Sequence, residues 1–178
     1  MKRRTLIKAA IAGGAGLAVG GAGMLWLRAG RSEETLSVEA ALDKIDWLSA
    51  RTLQSAGEWS PHQVFSHCAQ SIEYSMTGYP ASRSHFFQST AGALAFSVFS
   101  ARQKMSHGLS EPILGAPVLE RKEDFQDGLA RLRAAFVNFQ GFKGPLKPHF
   151  AYGELNRHEY ELAHVMHFWN HLQQIRHL

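Results

Sequence analysis

Asn156-Arg157-His158-Glu159-Tyr160-Glu161-Leu162-Ala163-His164-Val165-Met166-His167-Phe168-Trp169-Asn170-His171-Leu172-Gln173-Gln174-Ile175-Arg176-His177-Leu178 decides how this chain folds. Asn156 followed by Glu159 marks a helix start: the Asn side-chain oxygen takes up a free backbone N–H, and Glu reaches back to the Asn N–H. Neither glycine nor proline follows, so the pattern predicts a helix unbroken for about twenty residues. At about 100° per residue, His164, His167 and His171 fall within an arc of roughly 60°. Tyr160 and Gln174 share that stripe, and Phe168, Leu172 and Ile175 flank it. Imidazoles bordered by an apolar face belong inside a helical assembly.

His167 and His171 project from one face about one turn apart, which lets two rings reach one transition metal. A set of hydrogen-bonded core histidines is the competing reading.

Upstream, four more amphipathic segments appear. Val38, Ala41, Leu42, Ile45 and Leu48 predict a helix over 38–54. Ser60, Pro61 and Gln63 form a helix start with a capping box, and the helix is expected to run to Thr77 before Gly78. Phe87, Ala91, Leu94, Val98 and Met105 predict a third helix over 83–105. Phe125, Leu129, Leu132, Phe136 and Phe139 predict a fourth over 122–139. Loops rich in Pro and Gly lie at 108–119 and 141–155. Nothing alternates at period two, so no substantial sheet is expected. The expected fold is all-α: an up-down four-helix bundle with one accessory helix and two long loops.

The 178 residues suffice for one domain with a sizeable core, and 45% are hydrophobic. Of the 19 Lys and Arg, five (Lys2, Arg3, Arg4, Lys8, Arg28) precede residue 31, where no acid occurs; the other 14 face 15 acids, a balance of −1. No basic face or nucleic-acid motif remains, so a nucleic-acid partner is not expected. Cys68 is the only cysteine, which excludes an intramolecular disulfide and a Cys-rich zinc site.

Residues 1–30 read as a targeting segment, leaving 31–178 as the folded domain. Arg3-Arg4-Thr5-Leu6-Ile7-Lys8 followed by a weakly hydrophobic Gly/Ala run resembles the twin-arginine type of export signal. That resemblance implies the export machinery as a partner, and a location that is periplasmic or anchored to the inner membrane. The uncharged run from Ala9 to Leu27 has 19 residues, close to the roughly 20 that span a bilayer.

Two histidines on one helix need a third donor. His67, on the well-capped second helix, is the best candidate. His62 is expected to be exposed in a first turn, and His85, His107, His149, His158 and His177 read as solvated. Trp59-Ser60-Pro61-His62-Gln63-Val64-Phe65-Ser66-His67, with a late helix carrying His167 and His171 before Leu172-Gln173-Gln174, resembles the DinB-like superfamily. His67 to Glu73, Gly78-Tyr79-Pro80 and Phe150-Ala151-Tyr152-Gly153 resemble a branch of it known as a domain of unknown function. The resemblance implies a four-helix bundle holding one divalent metal through His67, His167 and His171. Zn, Ni, Fe and Mn all suit imidazole. Related bundles include bacillithiol transferases and mycothiol-dependent maleylpyruvate isomerase, which activate a small thiol. Here Asn170 stands where many relatives have another His.

Three neutral imidazoles leave at least one open position on an ion, where a water, thiolate or carbonyl can bind. His164 is a further ligand, a proton carrier or a partner behind the ligands. Gln70, Tyr74 and Tyr160 are candidates to hydrogen-bond a bound molecule. Two functional classes follow: a metal-dependent transferase or hydrolase acting on a small molecule, and a non-catalytic metal- or ligand-binding bundle. A homodimer is compatible with the sequence but not demanded by it.

Overall fold

The computed structural model describes residues 34–178. The twin-arginine and anchor expectations fall on residues 1–30 and lie outside the described residues. Among the described residues no helix is long and apolar enough to cross a membrane.

Five helices and one two-stranded sheet make up the fold. Helix α1 (Val38–Ser49) starts at Ser37, whose Oγ accepts the Ala40 N–H at 3.1 Å, and it buries Val38, Ala41, Ile45 and Leu48. Helix α2 (Pro61–Thr77) opens on the expected capping box between Ser60 and Gln63 and closes at Gly78, whose φ of 112° suits a residue without Cβ. Helix α4 (Gln126–Gly141) buries Leu129, Leu132, Phe136 and Phe139, and helix α5 (Arg157–Leu172) carries the second capping box, Asn156 with Glu159. Helices α1 and α2 both pack on α4, and α2 also packs on α5. Their apolar faces form one core, with Phe65, Ile72, Phe136, Tyr160 and Phe168 at its centre.

The α2–α4 crossing depends on Gly128. A Cβ there would stand 2.8 Å from the His62 carbonyl oxygen and 3.2 Å from Ser66 Oγ. Beside this crossing, Arg131 clamps Glu73 with bonds of 2.9 and 2.6 Å.

Several expectations are corrected. The first helix ends at Ser49, and the last at Leu172. Leu53–Ser55 (β1) and Ile175–His177 (β2) instead pair antiparallel, Leu53 opposite His177 and Ser55 opposite Ile175. This ribbon buries Leu53 and Ile175. Burying two such side chains is worth about 1.5–3 kcal/mol each, against tenths of a kcal/mol per residue for helix propensity, so tertiary pairing wins.

The third helix, α3, is segmented: an α-helical turn His85–Phe87, a π-helical stretch Gln88–Gly92, and an α-helix Ala93–Arg102. A π turn inserts an extra residue and rotates everything after it. The expected apolar stripe is therefore displaced beyond it: Leu94 is 66% exposed, while Gly92 and Phe96 face inward. Gly92 is required there, because a Cβ would meet the Ala151 carbonyl oxygen at 2.0 Å. Finally, His62 is buried, with Nδ1 3.0 Å from the Glu120 carbonyl oxygen. The loop before α4 folds back over the first turn of α2.

Candidate metal centre

His67 projects from the middle of α2. His167 and His171 project from the last two turns of α5. The three rings are 3%, 9% and 0% exposed. One donor atom from each lies within 4.8 Å of the others. His67 Nε2 and His167 Nε2 are 3.2 Å apart. The ring centroids form a nearly equilateral triangle: 4.9 Å between His67 and His167, and 4.7 Å from His171 to each. Nitrogens about 2.0–2.1 Å from a tetrahedral ion place neighbouring imidazole centroids about 5 Å apart. The triangle has the size a metal needs.

The electrostatics agree. Burial, and secondarily the neighbouring imidazoles, lower the pKa of His67 to about 3 and of His171 to about 2, and hold His167 well below the ordinary histidine range. All three are neutral at pH 7, the form in which a ring nitrogen offers its lone pair. An imidazole–imidazole hydrogen bond between His67 and His167 satisfies one nitrogen on each. It leaves His67 Nδ1 and His171 Nε2 buried without a hydrogen-bond partner among the described residues. Each such orphan costs about 1–3 kcal/mol. A cation at the centre would engage His171 Nε2. That binding form needs a proton on His171 Nδ1, which lies 3.4 Å from the Gln174 amide. Gln174 Oε1, itself buried without a partner, would accept it after an amide flip. Trp59 walls the site, stacked on His171 at 6.1 Å and tilted against His67 at 4.9 Å.

Two of the triad, His67 and His167, border a cavity of about 310 Å³. His107, Arg83, His149 and His164 line the same cavity. Expected to be solvated, His107 is half-buried, with its ring centroid 5.1 Å from those of both His167 and His171. His149 is also buried rather than solvated. Its Nδ1 accepts the N–H groups of Ala151 and Tyr152 at 3.1 and 3.2 Å, so Nε2 carries its proton. No periodic signal marks either residue, because both sit in loops whose closure is set by tertiary contacts.

His164 is drawn away from the triad. Ser75 Oγ donates to the Ile72 carbonyl at 2.6 Å and accepts His164 Nε2–H at 3.1 Å. His164 Nδ1 therefore keeps its lone pair. Tyr160 stacks on His164 at 5.3 Å and donates its hydroxyl to the Lys147 carbonyl at 2.5 Å. Gln70 and Tyr74 line a separate groove under Pro117 to Lys122. That groove lies on another face of α2, so neither residue borders the triad's cavity. Cys68 is buried, and its thiol is pushed up by burial, so the neighbouring His67 does not activate it.

A family model described as a protein of unknown function, DUF1569, matches residues 31–177. The chain belongs to the DUF1569 family. No curated protein and no solved structure matches it. In this DUF1569 domain, then, the site is the main guide to chemistry: three buried, neutral histidines placed where they can hold a metal ion.

Proposed function

We propose that this DUF1569 domain binds one divalent transition metal through His67, His167 and His171, and uses it on a small molecule that enters the adjoining cavity, in a transferase or hydrolase reaction. The observation that carries this reading is the convergence of three neutral imidazoles from two helices, two of the imidazoles bordering a cavity. The packing of α1, α2, α4 and α5 supports a DinB-like four-helix bundle with α3 as the accessory helix. The leader supports export through the twin-arginine machinery to the periplasm or the outer face of the inner membrane.

When bound, such an ion supplies Lewis acidity to a carbonyl, ester or thiol group. The chain's own residues do the rest. Trp59 covers the triad and keeps bulk water from its back. His149 offers an N–H and His164 a lone pair along the cavity, a donor and an acceptor that can orient a polar substituent. The Arg83 guanidinium makes no ion pair among the described residues and borders the same cavity, where it can attract an anionic group.

The non-catalytic reading, a metal- or ligand-binding bundle, has one observation in its favour: the cavity is bordered by a single carboxylate, Glu111, which is exposed. The first test is metal content. Purified without chelator, the protein should carry about one metal per chain, and His167→Ala should carry almost none. Equal and negligible metal in both would end the proposal. Ester hydrolysis and thiol-adduct formation by the loaded protein then separate enzyme from binder.

A further inference from the structure

We infer that His107 is a fourth nitrogen donor, carried on a loop, that closes the metal site while the cavity is empty and yields its place to an incoming ligand. This rests on the reading that His67, His167 and His171 hold a metal.

Four observations carry it. The first is distance. The His107 centroid lies 5.1 Å from those of His167 and His171, close to the 4.7–4.9 Å separations within the triad. It also matches the spacing of about 5 Å that a tetrahedral ion imposes on imidazole ligands. The second is tautomer. His107 Nδ1 lies 2.8 Å from the Gly108 carbonyl oxygen, to which it donates, so Nε2 is left with the lone pair. Metal-binding histidines are commonly oriented by such a bond from the other ring nitrogen.

The third is position. His107 lies between two buried loop residues, Met105 and Ile113, and all three line the cavity. Anything entering the cavity meets this loop. The fourth is a mechanical link. Gln174 Nε2 donates to the Leu109 carbonyl at 3.2 Å and lies 3.4 Å from His171 Nδ1. The loop and a triad histidine thus share one amide. If His171 binds through Nε2, Gln174 turns its oxygen toward Nδ1 and gives up Leu109, which loosens the loop.

His107 now lies nearly parallel to His167, at 29° between ring planes, and stands outside the set of donors that lie within 4.8 Å of one another. Ligation therefore takes a ring rotation with a small loop shift. That is the property expected of a ligand that can leave. A site closed by four imidazoles would protect the ion; one opened by displacement would react.

The experiment uses the full-length protein loaded with Co(II) alone, with imidazole ligands counted by X-ray absorption. The wild type should show four imidazoles, and His107→Ala and His107→Gln three, with cobalt affinity about 10- to 100-fold weaker. Azide, as a displacing probe, should lower the wild-type count from four to three. Three imidazoles in the wild type, or equal cobalt affinity in all three proteins, overturns the role of His107 and leaves the triad intact. An unchanged count with saturating azide overturns the displacement. A wild type that binds no cobalt, or a His167→Ala variant that binds it as well as wild type, sinks the metal reading itself and this inference with it.

Discussion

Histidines buried without a compensating acid are costly to protonate, and this chain holds several. Burial first, and His164 second, lower His149 to about 3; burial alone lowers His164 to about 3. His149 is also held neutral by the two N–H groups that its Nδ1 accepts. The unfolded chain titrates near 6.5. Above that pH neither state is protonated and neither ring contributes. Below it the unfolded chain takes up protons that the folded chain refuses, so stability falls as pH drops from 6.5 toward 3. Each histidine contributes a slope of about 1.4 kcal/mol per pH unit inside that window. Urea unfolding of chelator-treated protein at pH 7, 6 and 5 should show this loss. His164→Gln should have a slope shallower by about 1.4 kcal/mol per unit, even though it is less stable at pH 7. Equal slopes would mean that His164 is already protonated in the fold, or is reached by water. At this scale, His67, His167 and His171 were legible because helical spacing fixes which side chains share a face. His107 and His149 were not, because no local pattern tells where a loop residue comes to rest.

Elements were legible where their ends carry chemistry of their own. Both capping boxes, Ser60 with Gln63 and Asn156 with Glu159, start helices at the residues where the sequence places them. Their failures have physical causes that lie outside the local window. The extra residue of the π-helical stretch rotates α3, and the β1–β2 ribbon takes the ends of two predicted helices. Gly128 shows how an element contact reaches the site. Alanine would gain up to about 1 kcal/mol in helix propensity. Its Cβ would also press on the His62 carbonyl and Ser66 Oγ, and overpacking of this kind costs about 1–3 kcal/mol. The clash is with backbone, which cannot rotate away. Gly128→Ala should therefore lower the melting temperature, and it should also weaken metal binding, because His67 directly follows Ser66 and lies just over one turn beyond His62 on the same helix. A melting temperature at or above the wild type would show that α2 and α4 can separate at no cost.

On the scale of the molecule, the triad joins two helices that lie far apart in sequence. His67 and His167 are separated by 100 positions, so their donors meet only in the folded state. A ligand that binds only the folded chain stabilises it by about 4 kcal/mol when its concentration is 1,000 times Kd. For a domain of this size each kcal/mol corresponds to about 2–4 °C. Chelator treatment should thus lower the melting temperature by about 8–16 °C, and readding one equivalent of Zn(II) or Co(II) should restore most of it. His67→Ala should lose the shift as completely as His167→Ala, although the two residues sit on different helices. A packing defect behaves differently: it would lower the melting temperature of each variant but leave its response to metal unchanged. Retention of the full shift in His67→Ala would mean that the ion is held by α5 alone, and α2 would then be only a wall of the cavity.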